Sequence, residues 1–197
     1  MKFLNGLSKP TLIGLLVDLL TIYFNDKNSS KLRELVAVYL AGYEPLQEKL
    51  GYNGYRQVAD TGKVEYCEVK PKNTQKKKDK LDGGGSFNDY TPERLEEDIR
   101  NNPTVLACGY VNGKLLYIIA FTFECIKSKM ENLLKRRFGE EMRRRRGEYL
   151  RSASFSFRDY RDCRTLKVVY AYENIEDYRE YIAKDLYKFL EKHLSQS

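Results

Sequence analysis

Asp60-Thr61-Gly62-Lys63-Val64-Glu65-Tyr66-Cys67-Glu68-Val69-Lys70 is the stretch on which the reading of this chain turns. Two β-rich runs, Tyr55–Ala59 and Val64–Val69, flank Asp60-Thr61-Gly62-Lys63, whose composition predicts a hairpin-like turn. Alternate side chains of a strand share a face, so Tyr66, Glu68 and Lys70 point one way while Glu65, Cys67 and Val69 point the other. A carboxylate and an ammonium are thus set side by side at a strand's end, and Asp60 at the turn is placed to return a second carboxylate. Two carboxylates suit a hard divalent cation that keeps several waters and also binds a phosphate. A lysine beside them can orient an attacking water and stabilise charge growing on that phosphate. An exposed ion-pair ladder would give the same Glu-x-Lys spacing without any chemistry.

Outward from this hairpin, Pro10–Asn25 has apolar residues at helical spacing and predicts a helix. Its apolar core Leu12–Leu20 is interrupted by Asp18 and lacks a small-residue cleavage site, which favours a buried helix over a signal peptide. Ser29 or Ser30 can cap a second helix to about Tyr43. A turn of helix after Pro45 would carry Glu44, Glu48 and Leu50. Past Lys70, residues 71–88 read as a flexible basic loop containing Gly83-Gly84-Gly85. Thr91-Pro92 opens a helix to about Asn101. Asn112-Gly113 joins strands Val105–Val111 and Lys114–Phe123. A basic helix or helix pair covers Ile126–Glu148. Strands Ser152–Phe157 and Leu166–Tyr172 then lead to an amphipathic helix from about Asn174 to His193. This order of elements predicts a single domain over 1–197, of α/β (α+β) class, with a mixed, largely antiparallel sheet flanked by helices.

Composition narrows the chemistry. The net charge of +7 favours a polyanionic partner. No apolar run reaches the roughly 18 residues of a membrane span. Cys67, Cys108, Cys125 and Cys163 are widely spaced beside apolar segments, so buried free thiols in a reducing cytoplasm are expected. His193 is the only histidine, and it stands near the C-terminus. That removes the essential base or ligand of a Ser-His-Asp triad, a Cys-His nucleophile and a His-containing zinc site.

Asp60 followed by Glu68-Val69-Lys70 resembles the motif of the PD-(D/E)xK nucleases, with Ala59 where that motif has its proline. The resemblance implies a restriction-endonuclease-like core and a Mg²⁺-dependent endonuclease, most like a small type II restriction enzyme, that cuts double-stranded DNA and leaves a 5′-phosphate. It implies Asp60 and Glu68 as metal ligands, Lys70 acting on the water, and Glu48 (or Glu44) assisting. A homodimer follows as an expectation, because one site per domain must cut two strands. A structure-selective repair or junction nuclease, and a non-catalytic nucleic-acid-binding protein, are the alternatives.

The basic clusters supply candidate DNA contacts. Lys72, Lys76, Lys77 and Lys78 suit a phosphate-contacting loop or a solvated linker equally. Arg143, Arg144, Arg145 and Arg146, spread around a helix, would meet DNA or pair with Glu140, Glu141 and Glu148. Arg158 and Arg161 follow a strand and could reach bases, or form an ordinary basic turn.

Overall fold

The computed structural model of the protein describes residues 8–11, 13, 16, 17, 19, 30–46, 51–59 and 61–196. Helix α1 (Ser30–Leu40) precedes strands β1 (Glu44–Pro45), β2 (Gly54–Gln57), β3 (Val64–Thr74) and β4 (Gly85–Tyr90). Helix α2 (Pro92–Asn101) leads to β5 (Thr104–Val111) and β6 (Lys114–Thr122), then to α3 (Lys127–Phe138), β7 (Leu150–Phe155), β8 (Lys167–Ala171) and α4 (Lys184–Leu194). Six strands form one sheet in the order β1-β2-β3-β5-β6-β8, antiparallel except for the β3–β5 pair, and β4 and β7 form a separate two-stranded ribbon. The expected class, a mixed and largely antiparallel sheet flanked by helices, is what the chain adopts.

Period-two alternation explains why β5 and β6 read as unbroken apolar runs. Leu106, Cys108, Ile118 and Ala120 face a core closed by Ala37 and Val38 of α1. Val105, Ala107, Ile119 and Phe121 face a larger core with Leu95 of α2, Met130 and Leu134 of α3, and Leu186 and Leu190 of α4. A sheet covered on both sides needs apolar residues at every position. The β5–β6 hairpin turns where expected: Asn112 and Gly113 both take positive φ, 50° and 81°, the pairing that a two-residue turn with matching twist requires. Thr91 caps α2, its hydroxyl accepting from the Arg94 N–H at 3.2 Å.

Several boundaries differ from expectation. The basic segment after Lys70 is strand as far as Thr74, because β5 pairs alongside it through Val111, and only Gln75–Lys80 form the exposed turn. Leu81 is then pulled into the core by backbone bonds to Tyr181 and from Ala183. Those bonds hold Ile182 extended, so the C-terminal helix divides into a 3₁₀ segment, Ile175–Tyr181, and α4. The basic helix ends at Phe138, where Gly139 takes φ 82°, and the four arginines lie in the turn beyond it. The last two strands do not pair with each other: β7 joins β4 and β8 joins β6. Glu44 lies in β1 rather than in a helical turn, and residues 47–50 are outside the described set. In the N-terminal segment the described positions from Lys9 to Leu19 are helical, but Ile13, Leu16 and Val17 are more than half exposed and join neither core, so they are not buried as expected.

Cys67 and Cys108 are buried free thiols, whereas Cys125 and Cys163 form a disulfide across 38 residues. The two lie far apart in sequence, and only the fold brings the turn after β6 beside the loop before β8. Closing a loop with that 38-residue separation removes unfolded-state freedom equivalent to about 4 kcal/mol. Cys125→Ser/Cys163→Ser is therefore expected to lower the urea midpoint accordingly, and reductant should lower the wild type to the same level. A reductant-insensitive midpoint would contradict this. No helix among the described residues is long and apolar enough to cross a membrane.

Candidate active site

β2 accompanies β3 only from Val64 to Cys67 and then departs, while β5 continues beside β3 to Thr74. Where β2 leaves, Asn53 takes its place: its N–H donates to Cys67 O, and its Oδ1 accepts from the Val69 N–H at 2.7 Å. The sheet splits at this point, and the gap opens into a cleft of about 680 Å³ lined by Glu34, Lys70, Lys72, Asp82, Ser86 and Ser154 among others. Glu68 and Lys70 sit at the fork.

Lys70 Nζ donates to Glu68 Oε1 at 2.7 Å. Glu68 is 8% exposed, and its other oxygen, Oε2, has no hydrogen-bond partner among the described residues. Arg94 Nη2 stands 3.7 Å from that oxygen, an ion-pair distance beyond hydrogen-bond length. The ammonium of Lys70 also lies 4.2 Å from the centroid of Phe87, and its stem is pressed by Gly85, where an added Cβ would come within 2.5 Å of Lys70 Cβ. Glycine is thus required at 85 by close approach. The lysine is fixed from three sides.

Behind the pair stands a buried polar network. Arg94 Nε donates to Asp98 Oδ1 at 3.0 Å, Tyr52 OH donates to the same oxygen at 3.0 Å, and Tyr90 OH donates to Oδ2 at 2.9 Å. Asp98 is fully buried, and burial raises its pKa despite these three donors. Tyr52 stacks on Tyr66, and Arg94 lies 4.8 Å above the Tyr52 ring. Helix α2 therefore delivers its guanidinium to Glu68 on a rigid support.

The expected site residues separate into groups. Lys70 and Lys72 line the cleft, with Glu68 buried against Lys70 and Lys72 paired to Asp82 at 2.9 Å. Asp60 and Glu48 lie outside the described residues. Glu44 accepts from Tyr55 OH at 2.9 Å, at the far edge of the sheet. Lys76, Lys77 and Lys78 stand beyond the distant end of β3, with Lys77 paired to Glu180. Arg144 binds Glu93 and the Glu148 carbonyl, and that ion pair pulls the Glu93 carboxyl down to about 2. Arg143 pairs with Glu141, Arg158 with Asp185 and Arg161 with Asp162. The side chains of Arg145 and Arg146 are exposed and form no ion pair with another described residue.

Sequence reading missed Glu34, Asn53, Arg94 and Asp98. Asn53 Nδ2 donates to Glu34 Oε2 at 3.1 Å, which fixes a second carboxylate on the cleft wall, from α1 rather than from the segment after it. Asp98 did leave a signal. It stands between Leu95 and Ile99 at apolar helical spacing, where a carboxylate implies buried partners. No protein-family model matches the chain, and no curated protein matches it in sequence.

Proposed function

We propose that the chain is a Mg²⁺-dependent endonuclease of the PD-(D/E)xK kind that hydrolyses phosphodiester bonds of duplex DNA, of type II restriction character and leaving a 5′-phosphate. The observation that carries the reading is the pair at the fork: a lysine on the wall of an open cleft, held against a buried glutamate whose second oxygen lacks a hydrogen bond among the described residues.

Three or more His, Cys, Asp or Glu groups do not cluster as metal ligands among the described residues. Mg²⁺ at phosphoryl sites needs fewer, since one or two carboxylates with waters and substrate oxygens suffice. The unbonded Oε2 of Glu68 fits that demand; Glu34 on the cleft wall, or Asp60 as the motif implies, would be the second carboxylate. Bound there, Mg²⁺ would supply Lewis acidity. Lys70 holds its ammonium at the cleft, where it orients an attacking water and stabilises charge on a phosphate oxygen. Arg94 limits the charge left on Glu68, and Lys72 offers a contact to a neighbouring phosphate.

Supercoiled plasmid incubated with the protein and Mg²⁺ tests this. Discrete linear products are expected; plasmid bound but left intact would end the nuclease reading. Arg94 and Lys70 flanking Glu68 also favour a second one, a non-catalytic nucleic-acid-binding protein with a structural charge ladder, and the uncut outcome selects it. A nick without linear product would instead favour a repair or junction nuclease.

Such an enzyme acts in the cytoplasm as a homodimer on DNA, two sites serving two strands. Sedimentation showing one chain per duplex that still cuts both strands in one encounter would exclude the dimer. Duplex affinity should fall with salt by about 0.9 log units per phosphate neutralised and decade of salt. Arg145→Ala/Arg146→Ala is expected to flatten that slope by about 1.8. Arg144→Ala should leave it unchanged, since Glu93 already neutralises that guanidinium. An equal effect from both variants would show that ion pairing does not sort these arginines.

A further inference from the structure

We infer that the outer face of the β4–β7 ribbon reads base edges of duplex DNA, an inference that rests on the duplex-binding part of the proposed function and not on its chemistry. In the ribbon's register, Ser86 stands opposite Ser154 and Asn88 opposite Ser152. Phe87, Ala153 and Phe155 point to the other side, into the core. The outer face is therefore a two-by-two grid of short polar side chains. It carries none of the β-branched or aromatic residues that sheet stability alone would favour. Ser86 Oγ lies 2.7 Å from Ser154 Oγ, and Ser154 Oγ lies 3.2 Å from Ser152 Oγ, so the hydroxyls form a connected chain. Each hydroxyl keeps further donor or acceptor capacity, and Asn88 offers both kinds.

The dimensions suit a duplex. A two-stranded ribbon fits a major groove about 12 Å wide, and short side chains let its backbone approach the base edges. Grid positions two residues apart along a strand are about 6.7 Å apart, close to two base-pair steps of about 3.4 Å each. Asparagine is the side chain that pairs bidentately with adenine in that groove, and serine serves either donor or acceptor. The grid also adjoins the candidate chemistry: Ser86, Asn88 and Ser154 line the same cleft as Lys70 and Lys72. At the other end of the ribbon, Arg145, Arg146 and Arg151 are exposed where a phosphate backbone would pass. The base pairs read and the bond cut would then lie within a few steps of each other.

Selection from a randomised duplex pool in Ca²⁺ buffer, which reports binding and requires no cutting, tests the inference. Wild type is expected to enrich one short motif. Asn88→Ala and Ser152→Ala/Ser154→Ala, with thermal unfolding measured alongside, should each lose about tenfold discrimination at one or two adjacent positions of it. Asn88→Asp offers a second reading that a folding defect would not mimic. A carboxylate accepts from cytosine N4, so the preferred base at one position should change to cytosine rather than simply blur. No motif with wild type, or the same motif at the same strength with all three variants, would overturn the inference. So would enrichment only from a single-stranded RNA pool. A wild type that selects a motif in Ca²⁺ but never cuts plasmid in Mg²⁺ would fail the nuclease reading and leave the ribbon's role standing.

Discussion

Replacing Lys70 with alanine is expected to lower the rate of plasmid cleavage by about 10³-fold or more while keeping duplex affinity within a few-fold of wild type. In the proposed function the ammonium acts on the attacking water and the phosphate, and a methyl group introduces no repulsion toward DNA. The variant also leaves Glu68 with Arg94 alone, a partner at 3.7 Å, so some loss of stability accompanies the loss of rate. Single-turnover cleavage below the melting temperature separates the two effects. Glu68→Ala should stop cleavage as well, by another route, because it removes the carboxylate that would hold the metal. Raising Mg²⁺ should therefore rescue Glu68→Ala in part and Lys70→Ala not at all. Removing that buried carboxylate also relieves repulsion of the phosphate, so metal-free duplex binding should tighten in Glu68→Ala. Lys70→Ala cutting at the wild-type rate would sink the proposed function, because Lys70 is the lysine that hydrogen-bonds Glu68, whereas Lys72 is paired to Asp82.

Asp98→Ala should be the most destabilising single change in the molecule, at about 3–5 kcal/mol by urea unfolding. Three donors, from Tyr52, Tyr90 and Arg94, end on this carboxylate, and alanine would strand all of them in the core. Asp98→Asn should keep most of the stability, since the amide oxygen still accepts and either tyrosine hydroxyl can turn to accept from the amide nitrogen. Acidity adds a signature. Burial raises the pKa of Asp98, so its protonated form is relatively favoured in the fold. That contribution is fully present below the unfolded-state value and is lost as pH rises through the raised folded-state value. Wild type should accordingly gain on Asp98→Asn as pH falls through that window. Equal pH dependence of the two proteins would mean that Asp98 does not titrate as its burial requires.

Much of the fold was legible because local rules and tertiary packing agree. Thr91-Pro92 started a helix, Asn112-Gly113 turned a hairpin, and the alternation around Glu68 placed it beside Lys70. Failures came where a distant partner overrode the local pattern. Lys72 reads as loop beside a lysine cluster, yet β5 holds it in a strand. Residues 175–193 have one helical period, yet Leu81 breaks it with two backbone bonds. Arg143–Arg146 invited a helix, and a glycine at 139 had already ended it. Within the site, Glu68 and Lys70 were visible as a spacing. Glu34 and Asn53 were not, because only the departure of β2 from β3 makes their neighbourhood.

That departure has a second consequence, for solubility. Beyond Cys67 one edge of β3 lacks a strand neighbour among the described residues, and an open edge invites pairing with another chain. The Val69 N–H already points toward that edge, where Asn53 caps it. Two residues on, in the same phase, stands Pro71, which has no N–H to offer an incoming strand. Lysines flank it on both sides, and charge at an edge discourages stacking further. Lys70-Pro71-Lys72 thus guards against aggregation at the place where the sheet opens into the cleft. A chain carrying Pro71→Val and Lys72→Thr should keep its fold but form fibrils or precipitate at concentrations that wild type tolerates, as light scattering would record.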